Sequence, residues 1–213
     1  MLITKDDGND FMKIGIFGGS FNPIHIMHRK IGEYLLKQHY VDKIIFVPTG
    51  DHYVYKSNLI LDKDRYRMVE LVCKNNSSFE VSDYELKNHV VYTIDTLQHF
   101  QDVYPNDEIY FICGADNLNY IDKWKNGIDI LNNYKILVIN RNTDNIDDIL
   151  ERLKYYKKNI IVTDMALDDL SSTKIRNDIL ENKDVSQYLD KEVYEYILSN
   201  QLYNKDGDIH ENI

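Results

Sequence analysis

The chain has 213 residues with a formal net charge of −10 at pH 7, and hydrophobic residues make up 43% of it. This length fits one domain with a sizeable core, and the acidic charge argues against non-specific nucleic-acid binding because it repels phosphate backbones. No apolar run approaches the roughly 20 residues of a membrane-spanning helix, and residues 1–10 lack the basic and apolar regions of a signal peptide, so we expect a cytoplasmic protein without membrane partners, with the nucleus as the alternative location.

Six short runs rich in β-branched and other apolar residues predict the strands of one sheet. In chain order they are Lys13–Phe17, Lys43–Val47, Ser78–Val81, Glu108–Cys113, Tyr134–Ile139 and Asn159–Thr163. Helical patterns alternate with these runs, which indicates βαβ crossovers. We therefore predict an α/β fold with a doubly wound, mostly parallel, Rossmann-like sheet. In such sheets the ligand crevice lies beyond the carboxyl ends of the strands.

The helical patterns begin near residue 25 and continue over 62–74, 92–104 and 145–156, and two more helices follow the last strand, over 171–181 and 185–199. The final helix has an apolar stripe, which predicts that it packs against the sheet layer as a C-terminal cap. The stripe consists of Leu189, Val193, Tyr194, Ile197 and Leu198. We expect a single domain over 12–200, with flexible ends at 1–11 and 201–213.

A glycine-rich loop follows the first predicted strand. Gly18 and Gly19 allow a sharp turn and the close approach of a phosphate, and a helix begins near His25, where free N–H groups and the helix dipole favour an anion. His25 and His28 share one face of the first helical turn, although surface histidines after a glycine turn would show the same pattern. The loop lacks the GxGxxG spacing of dinucleotide-binding folds, which argues against an NAD-dependent oxidoreductase.

The stretch GGSFNPIHIMH at 18–28 resembles the signature loop of the HxGH nucleotidylyltransferases. These enzymes join a nucleotide to a phosphorylated acceptor and release pyrophosphate. Met27 stands where the family usually has Gly, and a Met there is also found in eukaryotic pyridine-nucleotide members. The resemblance implies that His25 and His28 contact the α-phosphate, and that Gly18, Gly19, Ser20 and Phe21 form part of the substrate-binding loop.

Two further stretches resemble segments of nicotinate and nicotinamide mononucleotide adenylyltransferases, and the second of them, with GAD and Trp124 below, narrows the resemblance to these enzymes. VPTGDHYVYK at 47–56 offers Asp51 and a phosphate-binding cation, Lys56, unless it is an ordinary solvated loop. VYTIDTL at 91–97 opens a helix with Thr93 and Thr96, which the resemblance places beside the pyridine ring, whereas helix capping is the alternative role for Thr93.

The last two stretches complete the resemblance. FICGAD at 111–116 provides Gly114, which leaves room for a nucleotide. It also provides Asp116, whose carboxylate is able to accept hydrogen bonds from ribose hydroxyls or adenine, with helix capping as the alternative role. Trp124 either stacks on the pyridine, as the resemblance implies, or fills the core. DLSSTKIR at 169–176 predicts a phosphate cradle at a helix start, with simple capping by a serine as the alternative. Its residues are Ser171, Ser172, Thr173 and Arg176.

The implied reaction joins the AMP moiety of ATP to nicotinate mononucleotide, with nicotinamide mononucleotide as a weaker substrate. The resemblance implies that Lys56, Ser172, Thr173 and Arg176 hold the departing pyrophosphate and that Mg²⁺ accompanies ATP. We find no acidic cluster that would cage a metal, and Cys73 and Cys113 have neither a metal-ligand nor a CxxC spacing, which predicts two reduced core thiols.

Alternative functions remain open at this point. They are a nucleotidylyltransferase with another phosphorylated acceptor, such as phosphopantetheine or a cytidylyl acceptor, a class I aminoacyl-tRNA synthetase fragment, and a non-catalytic adenine-nucleotide sensor. The small size and the acidity argue against the synthetase, and the presence of both histidines and of Arg176 argues against the sensor. The sequence also leaves open whether the protein forms a homo-oligomer.

Overall fold

The computed structural model describes residues 11–50, 59–88, 91–140, 145–165 and 170–204. Six strands form one parallel sheet in the order β3-β2-β1-β4-β5-β6. The strands are β1 (Lys13–Gly19), β2 (Lys43–Pro48), β3 (Phe79–Val81), β4 (Glu108–Gly114), β5 (Lys135–Ile139) and β6 (Ile160–Thr163). The predicted doubly wound α/β fold is therefore confirmed, with all six strands in the predicted places.

The helices of the described residues lie between the strands and after the last one. They are α1 (Ile26–Lys37), α2 (Asp62–Cys73), α3 (Tyr84–Lys87), α4 (Thr93–Val103), α5 (Ala115–Leu118), α6 (Gly127–Asn133), α7 (Ile146–Arg152), α8 (Ser172–Leu180) and α9 (Lys191–Ser199). The helix predicted over 145–156 ends at Arg152, and a 3₁₀ segment, Lys154–Asn159, follows it. The three short helices α3, α5 and α6 had no sequence prediction because fewer than eight residues carry too little periodicity.

Two hydrophobic clusters cover the two faces of the sheet. Because successive side chains of a strand point to opposite faces, Ile14 and Ile16 enter one cluster while Phe17 enters the other. Helices α1, α2, α8 and α9 contribute to the cluster that contains Phe17, and α4, α6 and α7 contribute to the opposite one.

Cys73 and Cys113 are free and buried, as predicted, and burial raises the pKa of the Cys73 thiol to about 12.

The C-terminal segment differs from the prediction in two ways. Helix α9 packs against α2, with Val193 and Ile197 buried, while Leu198 is 57% exposed and lies outside the buried stripe. The range expected to be flexible from residue 201 includes Tyr203, whose ring is buried. Among the described residues, no helix has both the length and the apolar character needed to cross a membrane.

Candidate active site

A cavity of about 690 Å³ opens at the carboxyl ends of β1 and β4. These strands are neighbours in the sheet although β2 and β3 come between them in the chain, so the strand order reverses here. A reversal of this kind separates the loops and creates the crevice in which doubly wound sheets bind ligands. The predicted site residues that line the cavity are Gly18, Gly19, Ser20, His28, Thr93, Thr96, Gly114, Asp116 and Trp124.

The glycine-rich segment begins as strand rather than as a turn. Gly18 and Gly19 continue β1 and pair with Val47 and Pro48 of β2, so the prediction that these glycines make the sharp turn is wrong. The left-handed backbone conformation occurs at Phe21, with φ of 45°. A Cβ atom added to Gly18 would meet nothing within 4 Å, so the backbone at this position is open to a ligand.

Phe21 was predicted to bind substrate, and the structure places it in the core instead. Its side chain is only 2% exposed and is not among the residues that line the cavity. The ring packs edge-on against Phe17, Phe46 and His28, with centroid distances of 5.9, 5.8 and 5.1 Å. Phe21 therefore supports the imidazole of His28 from behind.

The two histidines at the start of α1 have different positions. His28 is half-buried and lines the cavity, whereas His25 is 3% exposed and lies outside the lining, with its ring centroid 3.8 Å from that of His28. The backbone N–H of His25 donates to Nδ1 of His28 across 3.2 Å. Because Nδ1 accepts this bond, the proton of a neutral His28 imidazole lies on Nε2. His28 is thereby prepared to donate a hydrogen bond from Nε2.

The residues of α8 hold the loop between β1 and α1. The Ser172 hydroxyl donates to the carbonyl oxygen of Pro23 at 2.8 Å, and Nη1 of Arg176 donates to that of Asn22 at 2.7 Å. Nη2 of Arg176 donates to the Thr173 hydroxyl at 3.3 Å. The Ser171 hydroxyl accepts the N–H of Lys174, so Ser171 is a helix cap. The predicted site residues of this segment do not line the cavity; they are Ser171, Ser172, Thr173 and Arg176.

The start of α4 forms the opposite wall. Thr93 is the first helical residue and faces the cavity, but the cap is Tyr92, so the alternative role of Thr93 as a cap is wrong. The buried Thr96 hydroxyl donates to Oε1 of Glu85 at 2.7 Å. Glu85 also lines the cavity. It lies on the four-residue helix α3, and no sequence signal had identified it.

The wall after β4 holds Asp116 and Trp124. Gly114, and not Asp116, caps α5, and a Cβ atom on Gly114 would come within 2.3 Å of the Asp116 carboxylate. A side chain at position 114 would therefore displace Asp116. Trp124 is half-buried, with its ring edge-on to Phe111 at 6.2 Å and another part of its surface facing the cavity. It thus combines core packing with a surface available to a ligand.

Three cations near the site were not identified from the sequence. Lys123 and Lys125 line the cavity, and Nζ of Lys125 lies 4.1 Å from the centre of the Tyr92 ring. Arg65 of α2 is completely buried. Its Nη1 donates to the carbonyl oxygen of Ser20 at 2.8 Å, and it pairs with the carboxylate of Asp62. Asp51 and Lys56 lie outside the described residues.

Comparisons with known proteins identify the family of the chain. The cytidylyltransferase-like family model matches residues 16–178. A protein of Caldicellulosiruptor saccharolyticus named "Probable nicotinate-nucleotide adenylyltransferase" is 40% identical, over 91% of this chain and 100% of its own length. One of Clostridium tetani with the same name is 39% identical, over 90% of this chain and 98% of its own length.

Among solved structures, the nicotinic acid mononucleotide adenylyltransferase of Plasmodium falciparum complexed with NaAD has a similar fold. Its TM-score is 0.75 at 21% identity, and the match covers 90% of this chain and 97% of the other. The same enzyme complexed with APC matches with a TM-score of 0.73. The chain therefore belongs to the cytidylyltransferase-like family, in the group of the nicotinate-nucleotide adenylyltransferases.

Proposed function

We propose that the protein transfers the AMP moiety of ATP to nicotinate mononucleotide, giving the dinucleotide and pyrophosphate. One observation carries this proposal: a single cavity joins the glycine segment and His28 to a second wall with Thr93 and Trp124. The first wall suits phosphates, and the second suits an aromatic ring with a polar substituent. Relatives that are about 40% identical over nine-tenths of the chain are named for this activity.

The proposed reaction places few chemical demands on the protein. The phosphate of the mononucleotide is already an ionised nucleophile, so no general base has to activate it. Catalysis then consists of holding the two substrates in line and stabilising the charge that develops at the α-phosphate. Preorganised hydrogen-bond donors are the groups that provide such stabilisation.

His28 is the donor that the structure prepares best. Its Nδ1 accepts from the His25 backbone, which fixes the ring and assigns the proton of the neutral imidazole to Nε2, the atom that would donate to a phosphate oxygen. The imidazole also lies in the first turn of α1, where the helix dipole favours negative charge. His25 acts through its backbone N–H, and the predicted contact of its own ring with the α-phosphate stays a prediction.

The pyrophosphate would lie toward α8. Arg176 has five N–H donors, and its bonds to Asn22 and Thr173 use two of them, so others can face an anion beside the loop. Lys56 completes this group in our proposal, on sequence grounds alone. The described residues contain no group of three or more His, Cys, Asp or Glu side chains able to hold a metal, so Mg²⁺ would be carried by the phosphate oxygens of ATP.

The acceptor's pyridine would stack on Trp124, with its acid group toward Thr93 at the start of α4. Thr93 has a hydroxyl, and the first N–H groups of a helix have no partner within the helix. Lys125 adds a cation on the same side of the cavity. A carboxylate accepts bonds from such donors with charge assistance, so we propose that nicotinate mononucleotide is preferred to nicotinamide mononucleotide.

Steady-state assays of the purified protein with ATP and Mg²⁺ test the proposal. Each mononucleotide is supplied in turn and pyrophosphate release is measured, with 4′-phosphopantetheine as the control acceptor. We expect release with both mononucleotides and a higher kcat/KM for nicotinate mononucleotide. Release with phosphopantetheine alone would identify a different transferase, and ATP binding without release would identify a nucleotide sensor.

A further inference from the structure

The side chain of Asn22 connects the predicted catalytic loop to the C-terminal end of the described chain. The Tyr203 hydroxyl donates to Oδ1 of Asn22 across 2.9 Å, although the two residues are 181 positions apart. Both side chains are only 3% exposed. A hydrogen bond in such surroundings is costly to lose, because water cannot easily replace the missing partner.

Asn22 also lies at the centre of the contacts that hold the loop. Its backbone carbonyl oxygen accepts from Nη1 of Arg176 at 2.7 Å, while its side chain accepts from Tyr203. Three residues further along the chain is His25, whose backbone N–H fixes the ring of His28. A shift of Asn22 would therefore be passed along a short, buried segment to the imidazole in the cavity.

We propose that Tyr203 is a positioning residue of the active site, and that the segment after α9 thereby sets the geometry of the loop that precedes α1. Tyr203 does not line the cavity, and neither does Asn22, so the effect of Tyr203 on substrates passes through the loop. This inference rests on the proposed function, because it assigns the loop to the reaction. It also gives Tyr203 a role that the predicted flexible end at 201–213 would not have allowed.

The test compares Tyr203→Phe with Tyr196→Phe in the full chain. Phe keeps the buried ring at 203 and removes only the hydroxyl. Tyr196 is a matched control, because its hydroxyl donates to Oδ1 of Asp64 on α2 at a similar distance, 2.8 Å, and neither partner belongs to the loop. Melting temperatures are measured first, and kinetics are compared at a temperature at which all three proteins are folded.

We expect Tyr203→Phe to lower kcat roughly fivefold or more, the rate equivalent of one net hydrogen bond, with the KM values changed less than twofold. Tyr196→Phe should lower the melting temperature by a similar amount and leave kcat unchanged. Equal kcat values for Tyr203→Phe and the parent protein, or an equal decrease in both variants, would overturn the proposal.

Hydrogen exchange followed by mass spectrometry provides a readout that does not depend on the reaction. Peptides covering 20–28 should exchange faster in Tyr203→Phe than in the parent protein, and at the parent rate in Tyr196→Phe. If the parent protein shows no transferase activity while this exchange difference is present, the proposed function fails and the positioning of the loop by Tyr203 stands. Unchanged exchange at 20–28 would refute the positioning role.

Discussion

The hydroxyl of Thr96 donates a hydrogen bond to Oε1 of Glu85 at the cavity wall, across 2.7 Å. A threonine hydroxyl has one proton, so Thr96 retains only acceptor capacity toward a ligand. Thr93, one turn earlier, faces the cavity at the first position of α4. The two threonines that the sequence treated as equivalent therefore have different roles, and Thr93 is the one able to donate to the acid group of nicotinate.

Exchanging each threonine for valine separates these roles. Thr93→Val should lower kcat/KM for nicotinate mononucleotide by roughly tenfold or more, since bonds to charged groups contribute about 1.5–3 kcal/mol. Thr96→Val should instead reduce the free energy of unfolding by about 1–2 kcal/mol, because it removes a partner of Glu85 in a buried position. Steady-state kinetics and urea unfolding of both variants check the prediction, and a larger kinetic effect for Thr96→Val would reverse the assignment.

Replacement of His28 tests the donor at the α-phosphate. His28→Ala should lower kcat by roughly 100-fold or more, as for the loss of one preorganised donor, with little change in ATP affinity. His39→Asn is the control, since His39 is exposed and Asn tolerates its left-handed backbone conformation, with φ of 57°. A His28→Ala enzyme with normal kcat and an altered KM would remove His28 from the transition state.

Trp124 is expected to act on one substrate alone. Trp124→Ala should raise KM for the mononucleotide roughly tenfold, the equivalent of one lost stacking contact, and leave KM for ATP nearly unchanged. Trp124→Phe keeps an aromatic surface against Phe111 and should lie between Trp124→Ala and the parent protein. Thermal unfolding completes the experiment: if Trp124→Ala fails to fold while Trp124→Phe has parental kinetics, the residue serves the core.

The stability of α8 should depend on pH through Asp178. Its carboxylate accepts from Lys174 and, at 3.3 Å, from Lys183, and these contacts lower the pKa of Asp178 below its ordinary value of 3.8. A carboxylate with a lowered folded-state pKa contributes stability above its unfolded pKa and loses that contribution as the pH falls through the folded-state pKa. Urea unfolding should show Asp178→Asn less stable than the parent protein at pH 7, with the difference shrinking below pH 3.8. If the two proteins differ in unfolding free energy by the same amount at pH 7 and below pH 3.8, Asp178 does not cause the pH dependence.

The sequence predicted the strands and the residues near their carboxyl ends, because runs of buried β-branched residues are local signals. It did not predict Glu85 or Lys125, which reach the cavity only after α3 and the segment before α6 have packed. For Phe21 the motif was present, but the direction of its ring depends on a positive φ and on a tertiary contact with Phe46. Arg65 gave no signal because its link to the site, the carbonyl oxygen of Ser20, lies 45 positions away in the chain.

The adjacency of β1 and β4 means that the cavity lies on a seam between two halves of one polypeptide. The first half contributes Gly18 and His28, the second contributes Asp116 and Trp124, and α4 belongs to the crossover that connects them. A dinucleotide that fills the cavity would contact both halves and hold them together without a covalent bond. Such a ligand adds stability in proportion to the logarithm of its concentration, so product bound across the seam would protect the fold as well as inhibit the next turnover.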